Sequence, residues 1–134
     1  MASLFTENLL VNVKTIDDQH RKLFEAVEEF HTSCKSAKGK EQIPALFDFL
    51  AGYTINHFKN EENYMDKFSY PEVADHKKQH KDFIDKITSL ESTVKDGQVP
   101  LPTLIEINGF LTKWLINHIS KTDKKLGAFL KDKV

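Results

Sequence analysis

Four stretches of this chain carry apolar residues at steps of three and four, which is the period of an α-helix rather than of a strand. Only five glycines and four prolines occur, and most of them lie near the ends of these stretches. The spacing predicts helices at about 16–37, 41–66, 71–95 and 103–123. The connections are short enough to make neighbouring helices antiparallel. The sequence therefore predicts an all-α fold: an antiparallel up-down-up-down four-helix bundle with an N-terminal arm and a short C-terminal helix.

Helix starts carry local signals as well. Pro44 falls in the first turn of the second stretch, where its missing N–H costs little. Ser69 is a candidate cap for the third helix, because Glu72 follows it three residues later. The segment from Pro100 to Thr103 is predicted to open the fourth helix.

Length and charge exclude several classes of protein. A chain of 134 residues fits one domain, so we expect a single domain over 1–134. Nineteen basic and twenty acidic residues give a net charge of −1, which offers no electrostatic reason to bind nucleic acid or an anionic membrane. The apolar runs are shorter than the ~20 residues of a membrane span, and residues 1–13 lack the basic start of a secretory signal. We therefore expect a cytoplasmic protein with no nucleic-acid or membrane partner.

Polar side chains interrupt every apolar stripe at positions that should face the core. They are His20, His57, Glu61, His76, His80, His118 and Asp123. The intervals from His57 to Glu61 and from His76 to His80 are four residues, so each pair lies on one helical face about a turn apart. Any one of these residues alone is more often a solvated or hydrogen-bonded core residue than a ligand.

Their positions along the helices favour a metal centre instead. The starts of the first and third helices and the ends of the second and fourth meet at one end of an antiparallel bundle, and all seven residues fall there. Buried polar groups without partners are costly, and a shared metal removes that cost. Five imidazoles and two carboxylates exceed the ligand set of a closed zinc site and favour transition metals over calcium or magnesium. Ligand number alone leaves iron, manganese and zinc open.

The interval between His118 and Asp123 is unusual. Five residues correspond to ~140° around an ideal helix, whereas four would give ~40°. For both side chains to reach one centre, the fourth helix must widen by one residue into a π-type turn, or break, near residues 120–123.

The ordered motifs resemble the hemerythrin family, specifically the single-domain bacterial hemerythrins. The resemblance covers essentially the whole chain and rests on IDDQH at 16–20, HFKNEE at 57–62, HKKQH at 76–80 and HISKTDKKL at 118–126. It implies a non-haem centre of two iron ions bridged by an oxo or hydroxo group. By that resemblance one iron is held by His76, His80 and His118, the other by His20 and His57, and both by Glu61 and Asp123.

The family's activity is reversible dioxygen binding at an open position on the second iron. The resemblance therefore implies a protein for oxygen storage, delivery or sensing, with a protein that receives the oxygen as a further partner, and not an enzyme. A di-iron enzyme acting on peroxide or nitric oxide is the alternative. Five neutral imidazoles favour the carrier, because ferritin-like di-iron sites use four carboxylates and two histidines.

Three apolar side chains are expected to line the oxygen pocket and exclude water from it: Phe24, Trp114 and Ile119. The chain departs from the family pattern in the arm before the first helix. Phe5 and Asn12 stand where family members commonly have a tryptophan and a glycine, which concerns the packing of the arm rather than the ligands.

Overall fold

The computed structural model of the chain describes residues 5–35, 43–94 and 100–133. Its helices are α1 (Lys14–Lys35), α2 (Ile43–Lys67), α3 (Val73–Val94), α4 (Leu101–Asn117) and α5 (Lys124–Leu130), with a π-helical turn at His118–Asp123. A short 3₁₀ turn, Glu7–Leu9, lies in the arm. These elements confirm the four predicted helices, the arm and the C-terminal helix, and the described ranges contain no strand. The predicted boundaries at 37, 41 and 95 lie outside the described residues.

The inward faces of the helices form a core of leucine, isoleucine, valine and phenylalanine side chains. Helix α1 packs against α2 and α4, and α2 packs against α3. Five rings are almost completely buried, namely Phe24, Phe30, Phe47, Phe58 and Phe83. Burial of each aromatic side chain contributes about 2 kcal/mol, so these rings are a substantial favourable contribution to the stability of the bundle.

No helix within residues 5–35, 43–94 and 100–133 is long and apolar enough to cross a membrane.

The expected role of Ser69 is wrong. Helix α3 begins only at Val73, and Ser69 lies in the left-handed region with φ 55°. It follows the end of α2, where the backbone N–H of Tyr70 donates to the carbonyl of Met65 at 2.9 Å. A hydrogen bond that spans six residues in this way is typical of a helix C-terminus and requires a left-handed residue next to it. The polar residue therefore ends one helix rather than starting the next. The two prolines are placed as predicted, since Pro44 and Pro102 are the second residues of α2 and α4.

The N-terminal arm is held by a buried carboxylate of α1. Asp17 accepts hydrogen bonds from the backbone N–H groups of Val11 at 2.8 Å and Asn12 at 3.1 Å. Asn12 is left-handed, with φ 67°. Asparagine tolerates this conformation better than most residues, which explains how Asn12 stands where the family resemblance places a glycine.

The arm also contacts the C-terminal helix at a glycine. A Cβ atom on Gly127 would overlap the carbonyl oxygen of Val11 and lie 2.8 Å from the Val11 Cβ. The 3₁₀ turn of the arm contacts the π-helical turn. The absence of a side chain at 127 thus lets the arm lie against the end of the bundle that carries the π-helical turn.

We predict that Gly127→Ala destabilises the protein by about 1–3 kcal/mol, because backbone rather than a flexible side chain must move to admit the methyl group. Urea denaturation measures the change. Gly52→Ala is the matched control: a Cβ at Gly52 meets nothing within 4 Å, so this change in α2 should be neutral or stabilising by about 0.5–1 kcal/mol. Equal stability of the two variants would contradict the close approach of the arm.

Candidate metal centre

The structure brings all seven predicted side chains together at one end of the bundle, and each of them is buried. Their nitrogen and oxygen atoms form two overlapping groups, with the atoms of each group within 4.8 Å of one another. One group contains three histidines and the other contains two, and two carboxylates belong to both. The three-histidine group is Glu61, His76, His80, His118 and Asp123, and the two-histidine group is His20, His57, Glu61 and Asp123.

Glu61 directs one oxygen to each group. Its Oε1 lies 3.1 Å from His80 Nε2 and 3.5 Å from His76 Nε2. Its Oε2 lies 3.3 Å from His57 Nε2 and 3.6 Å from His20 Nε2. A carboxylate shared in this way is suited to bridging two adjacent cations.

Asp123 likewise directs one oxygen to each group. Its Oδ1 lies 3.0 Å from His76 Nε2 and 3.1 Å from His118 Nε2, whereas its Oδ2 lies 3.0 Å from His20 Nε2. The two carboxylates together thus face histidines of α1, α2, α3 and the π-helical turn.

Asp123 reaches this position because the helix widens where the sequence requires it. Residues His118–Asp123 form a π-helical turn, and the backbone N–H of Lys124 bonds to the carbonyl of Ile119, five residues earlier. One extra residue per turn brings Asp123 round to the face of His118. The predicted local irregularity is therefore confirmed, and α5 continues directly after it.

Three of the histidines are fixed in orientation by outer hydrogen bonds from Nδ1. The pairs are His57 with Gln19 Oε1 at 2.6 Å, His80 with Glu62 Oε2 at 2.9 Å and His118 with Gln79 Oε1 at 2.8 Å. A ring whose Nδ1–H donates outward keeps the Nε2 lone pair free, and that nitrogen points into the site. Asn60 and Thr122 in turn donate to Gln19 and Gln79.

Sequence reasoning missed these outer partners. Gln19 and Gln79 directly precede His20 and His80, and Glu62 directly follows Glu61. An adjacent residue on a helix is rotated by ~100° from the inward face, so it can reach the outer edge of a ring on a neighbouring helix. A polar residue beside each predicted ligand is the signal that could have identified them.

Aromatic rings pack against two of the histidines. Phe58 stacks on His80 at 3.8 Å between ring centroids, and Trp114 stacks on His118 at 4.4 Å. Trp114 also contacts Phe58 and Phe83. This layer separates the polar site from the rest of the core and restricts rotation of both imidazoles.

The family model described as "Hemerythrin HHE cation binding domain" matches residues 11–130. The chain belongs to the hemerythrin family. Among its relatives, Bacteriohemerythrin from Methylococcus capsulatus is 32% identical over 119 residues, which are 89% of this chain and 88% of that protein. Myohemerythrin-1 from Phascolopsis gouldii is 30% identical over 122 residues, covering 91% of this chain and 89% of that protein.

Solved structures agree with this assignment. The crystal structure of a wild-type hemerythrin superposes with a TM-score of 0.82 at 31% identity, covering 96% of this chain and 95% of that chain. The crystal structure of a hemerythrin mutant superposes equally well, with a TM-score of 0.82 at 30% identity, covering 95% of this chain and 97% of that chain. The hemerythrin fold that the motifs implied is therefore confirmed.

Protons balance the buried carboxylates of this hemerythrin site. Burial lowers the pKa of His20 and of His76, but the carboxylates of Asp123, at 3.0 Å, and of Glu61, at 3.5–3.6 Å, outweigh it and raise each pKa to about 9. Burial raises the pKa of both carboxyl groups, but the surrounding histidines hold the pKa of Glu61 and of Asp123 well below the usual range. Two imidazolium ions thus neutralise two carboxylates at neutral pH.

Many of the inward atoms still have no hydrogen-bond partner. They include both oxygens of Glu61 and of Asp123 and the Nε2 atoms of His76, His80 and His118. Buried atoms of this kind cost free energy unless a donor, acceptor or metal satisfies them. Mixed nitrogen and oxygen donors without a thiolate suit first-row divalent ions. The residues present therefore fit two such ions.

Metal loading should release protons because the ions take the nitrogen lone pairs that the protons occupy. At pH 7, below the pKa of about 9, His20 and His76 are protonated. We predict that anaerobic Fe²⁺ binding releases about two protons per chain from them at pH 7, measured with an indicator in weak buffer. Release should decline as the pH rises past 9, since the imidazoles are then already neutral. A release that does not decline there would contradict the charge balance.

Proposed function

We propose that this chain binds dioxygen reversibly at a centre of two iron ions held by the seven buried side chains. One observation carries the proposal: Glu61 and Asp123 each direct one oxygen to the three-histidine group and the other to the two-histidine group. Membership of the hemerythrin family supports it. When bound, the iron pair supplies the two electrons that reversible dioxygen binding requires.

The two groups of ligands differ in number, and this difference assigns their roles. In the proposal, His76, His80 and His118 hold one ion, His20 and His57 hold the other, and Glu61 and Asp123 hold both. The two-histidine side has one protein ligand fewer, so dioxygen binds on that side.

The residues around the site favour an oxygen carrier over an enzyme. Gln19, Glu62 and Gln79 keep the outer nitrogens of three imidazoles hydrogen-bonded, so these rings are fixed in place. Tyr70 meets His76 of the three-histidine group edge-on at 6.4 Å, and burial raises the pKa of this phenol to about 12, so it is a poor proton donor. Tyr53 lines an outer groove with Asp18 and Gln19. This arrangement favours the return of intact dioxygen over cleavage of its O–O bond, for which a general acid is needed.

Exclusion of water belongs to the same proposal. Phe24 and Ile119 are buried, and Trp114 reaches the site through the ring of His118, on which it stacks. We assign these three residues to the wall that keeps water and protons from the oxygen-binding side. Loss of dioxygen as a charged species is disfavoured in an apolar environment, whereas neutral dioxygen leaves freely.

The remaining assignments follow from the same interpretation. The chain acts as a single hemerythrin domain over 1–134, located in the cytoplasm, without catalytic turnover, and an unidentified protein receives the oxygen. The alternative, an enzyme acting on peroxide or nitric oxide, differs in a measurable way, because only an enzyme turns over repeatedly with a reductant.

Metal analysis and visible spectroscopy test the function directly. We predict two irons per chain and, on exposure of the reduced protein to air, a charge-transfer band that disappears when oxygen is removed under argon. Repeated cycles should recover the same band. Two zinc ions per chain, or continuous consumption of peroxide or nitric oxide with a reductant, would contradict the proposal.

Removal of a ligand shared by both groups should lower the metal content more than removal of a ligand from one group. Glu61→Ala takes a ligand from both ions, so metal content after purification should fall from two per chain towards zero. His57→Ala leaves the three-histidine group intact, so the metal content of this variant should fall only towards one ion per chain. Circular dichroism of both variants controls for loss of the fold. Equal metal losses would contradict the assigned roles.

A further inference from the structure

All seven side chains of the metal centre are buried, so an incoming ion must pass other residues first. A polar pocket of about 100 Å³ at the outer surface has one of the seven, His76, in its wall. The rest of the wall holds two carboxylates, two lysines and three other side chains: Glu72, Asp75, Lys121, Lys125, Tyr70, Gln79 and Thr122. A larger groove on the other side of the site, about 320 Å³, ends at Gln19 instead of at a histidine of the centre.

His76 is held less firmly than the other histidines of its group. Its Nδ1 has no hydrogen-bond partner, whereas those of His80 and His118 are bonded to Glu62 and Gln79. Aromatic rings stack face to face on His80 and His118, but Tyr70 meets His76 edge-on at 6.4 Å. The Nδ1 of His20 is also unpartnered, but His20 lines neither this pocket nor the groove beside Gln19. His76 is therefore the histidine of its group with neither an outer hydrogen bond nor a face-to-face stacked ring. For the ring to turn towards the pocket, its inward contacts with Asp123 Oδ1 at 3.0 Å and Glu61 Oε1 at 3.5 Å must be replaced, and the incoming cation can do so.

The pocket beside His76 offers oxygen ligands for a hydrated cation. Glu72 and Asp75 are exposed carboxylates. Lys125 Nζ lies 3.8 Å from Glu72 Oε1, and both side chains are more than half exposed. Exposed ion pairs of this kind contribute little to stability, so a divalent ion can displace the ammonium group from the carboxylate. Gln79 donates to Asp75 at 3.0 Å and fixes that side chain at the rim.

We propose that metal ions load through this pocket: Glu72 and Asp75 bind the hydrated divalent cation first, and the His76 ring turns to pass it to the buried ligands. The inference rests on the proposed function in one respect, since it assumes that the seven residues hold metal. It adds an entry site outside those seven residues. Ligand exchange proceeds from water to carboxylate oxygen, where the cation displaces the Lys125 ammonium group, and then to imidazole nitrogen, which releases its proton to water as the cation binds.

The protein contains its own probe of ion arrival. Trp114 is the single tryptophan, and its ring stacks on His118. An open-shell ion bound to the three-histidine group should therefore quench its fluorescence. Mixing metal-free protein with Co²⁺ in a stopped-flow instrument gives the rate of uptake, and metal analysis at the end of the reaction gives the number of ions bound.

We expect Glu72→Gln and Asp75→Asn each to slow uptake by about three- to tenfold, because local negative charge raises the rate of cation association. Lys125→Met should speed it, since the competing ammonium group is gone. Asp82→Asn is the matched control: it removes an equal charge from an exposed position of α3 that does not line the pocket, and its rate should equal that of the parent. All four variants should bind the same final number of ions.

The outcomes separate the loading route from the function. A parent protein that binds no Co²⁺ at its seven residues would overturn the proposed metal centre itself. A parent that binds two ions, at a rate that Glu72→Gln, Asp75→Asn and Lys125→Met leave unchanged, would overturn the route alone. A rate that falls for Asp18→Asn, in the groove beside Gln19, and not for Glu72→Gln would locate entry on the other side of the site.

Ring motion has a separate test. In the metal-free protein, histidine ring carbon signals in NMR spectra should show exchange broadening for His76 but not for His80, whose ring is stacked and hydrogen-bonded. Equal line widths for the two rings would overturn the role of His76.

Discussion

Burial of Glu61 and Asp123 is the constraint on which the rest of the structure depends. Both carboxylates are within 1% of complete burial, so neither is solvated by water. An isolated buried carboxylate is costly enough to be neutralised or paired. Five imidazoles from α1, α2, α3 and the π-helical turn surround the two carboxylates. Each carboxylate oxygen lies close to at least one Nε2 atom. No single helix could supply this compensation, and the bundle is thus tied together at its polar end by charge.

That requirement also determines backbone geometry. A regular helix through His118 would carry Asp123 away from the centre and leave Glu61 as the only shared carboxylate. The π-helical turn prevents this, because the extra residue brings Asp123 back to the inward face. Helix α5 continues from the turn, and Val11 of the N-terminal arm packs against its Gly127. The site therefore influences the packing of residues that never touch a ligand.

The parts of the structure that were predictable are those encoded by spacing along one helix. The pairs His57 with Glu61 and His76 with His80, and the irregularity before Asp123, could be derived from intervals of four and five residues, whereas His20 was placed by its position near the start of the first helix. The partners of His57, His80 and His118 could not, because Gln19, Glu62 and Gln79 act across helices and their reach depends on how the helices are rotated. Ser69 was misread because Ser-x-x-Glu matches a capping box, although the backbone there is left-handed and closes the previous helix.

The histidines divide into two kinds, and the division follows how each ring is held. His57, His80 and His118 are oriented by outer hydrogen bonds. His20 and His76 lack such bonds, contact Asp123 at 3.0 Å, and are the two whose pKa rises to about 9. Protons on these two rings stand in for the charge of the ions. Metal binding exchanges protons for ions at such ligands, so the two imidazoles that balance the carboxylates when protonated are also the ones that give up protons when they bind metal.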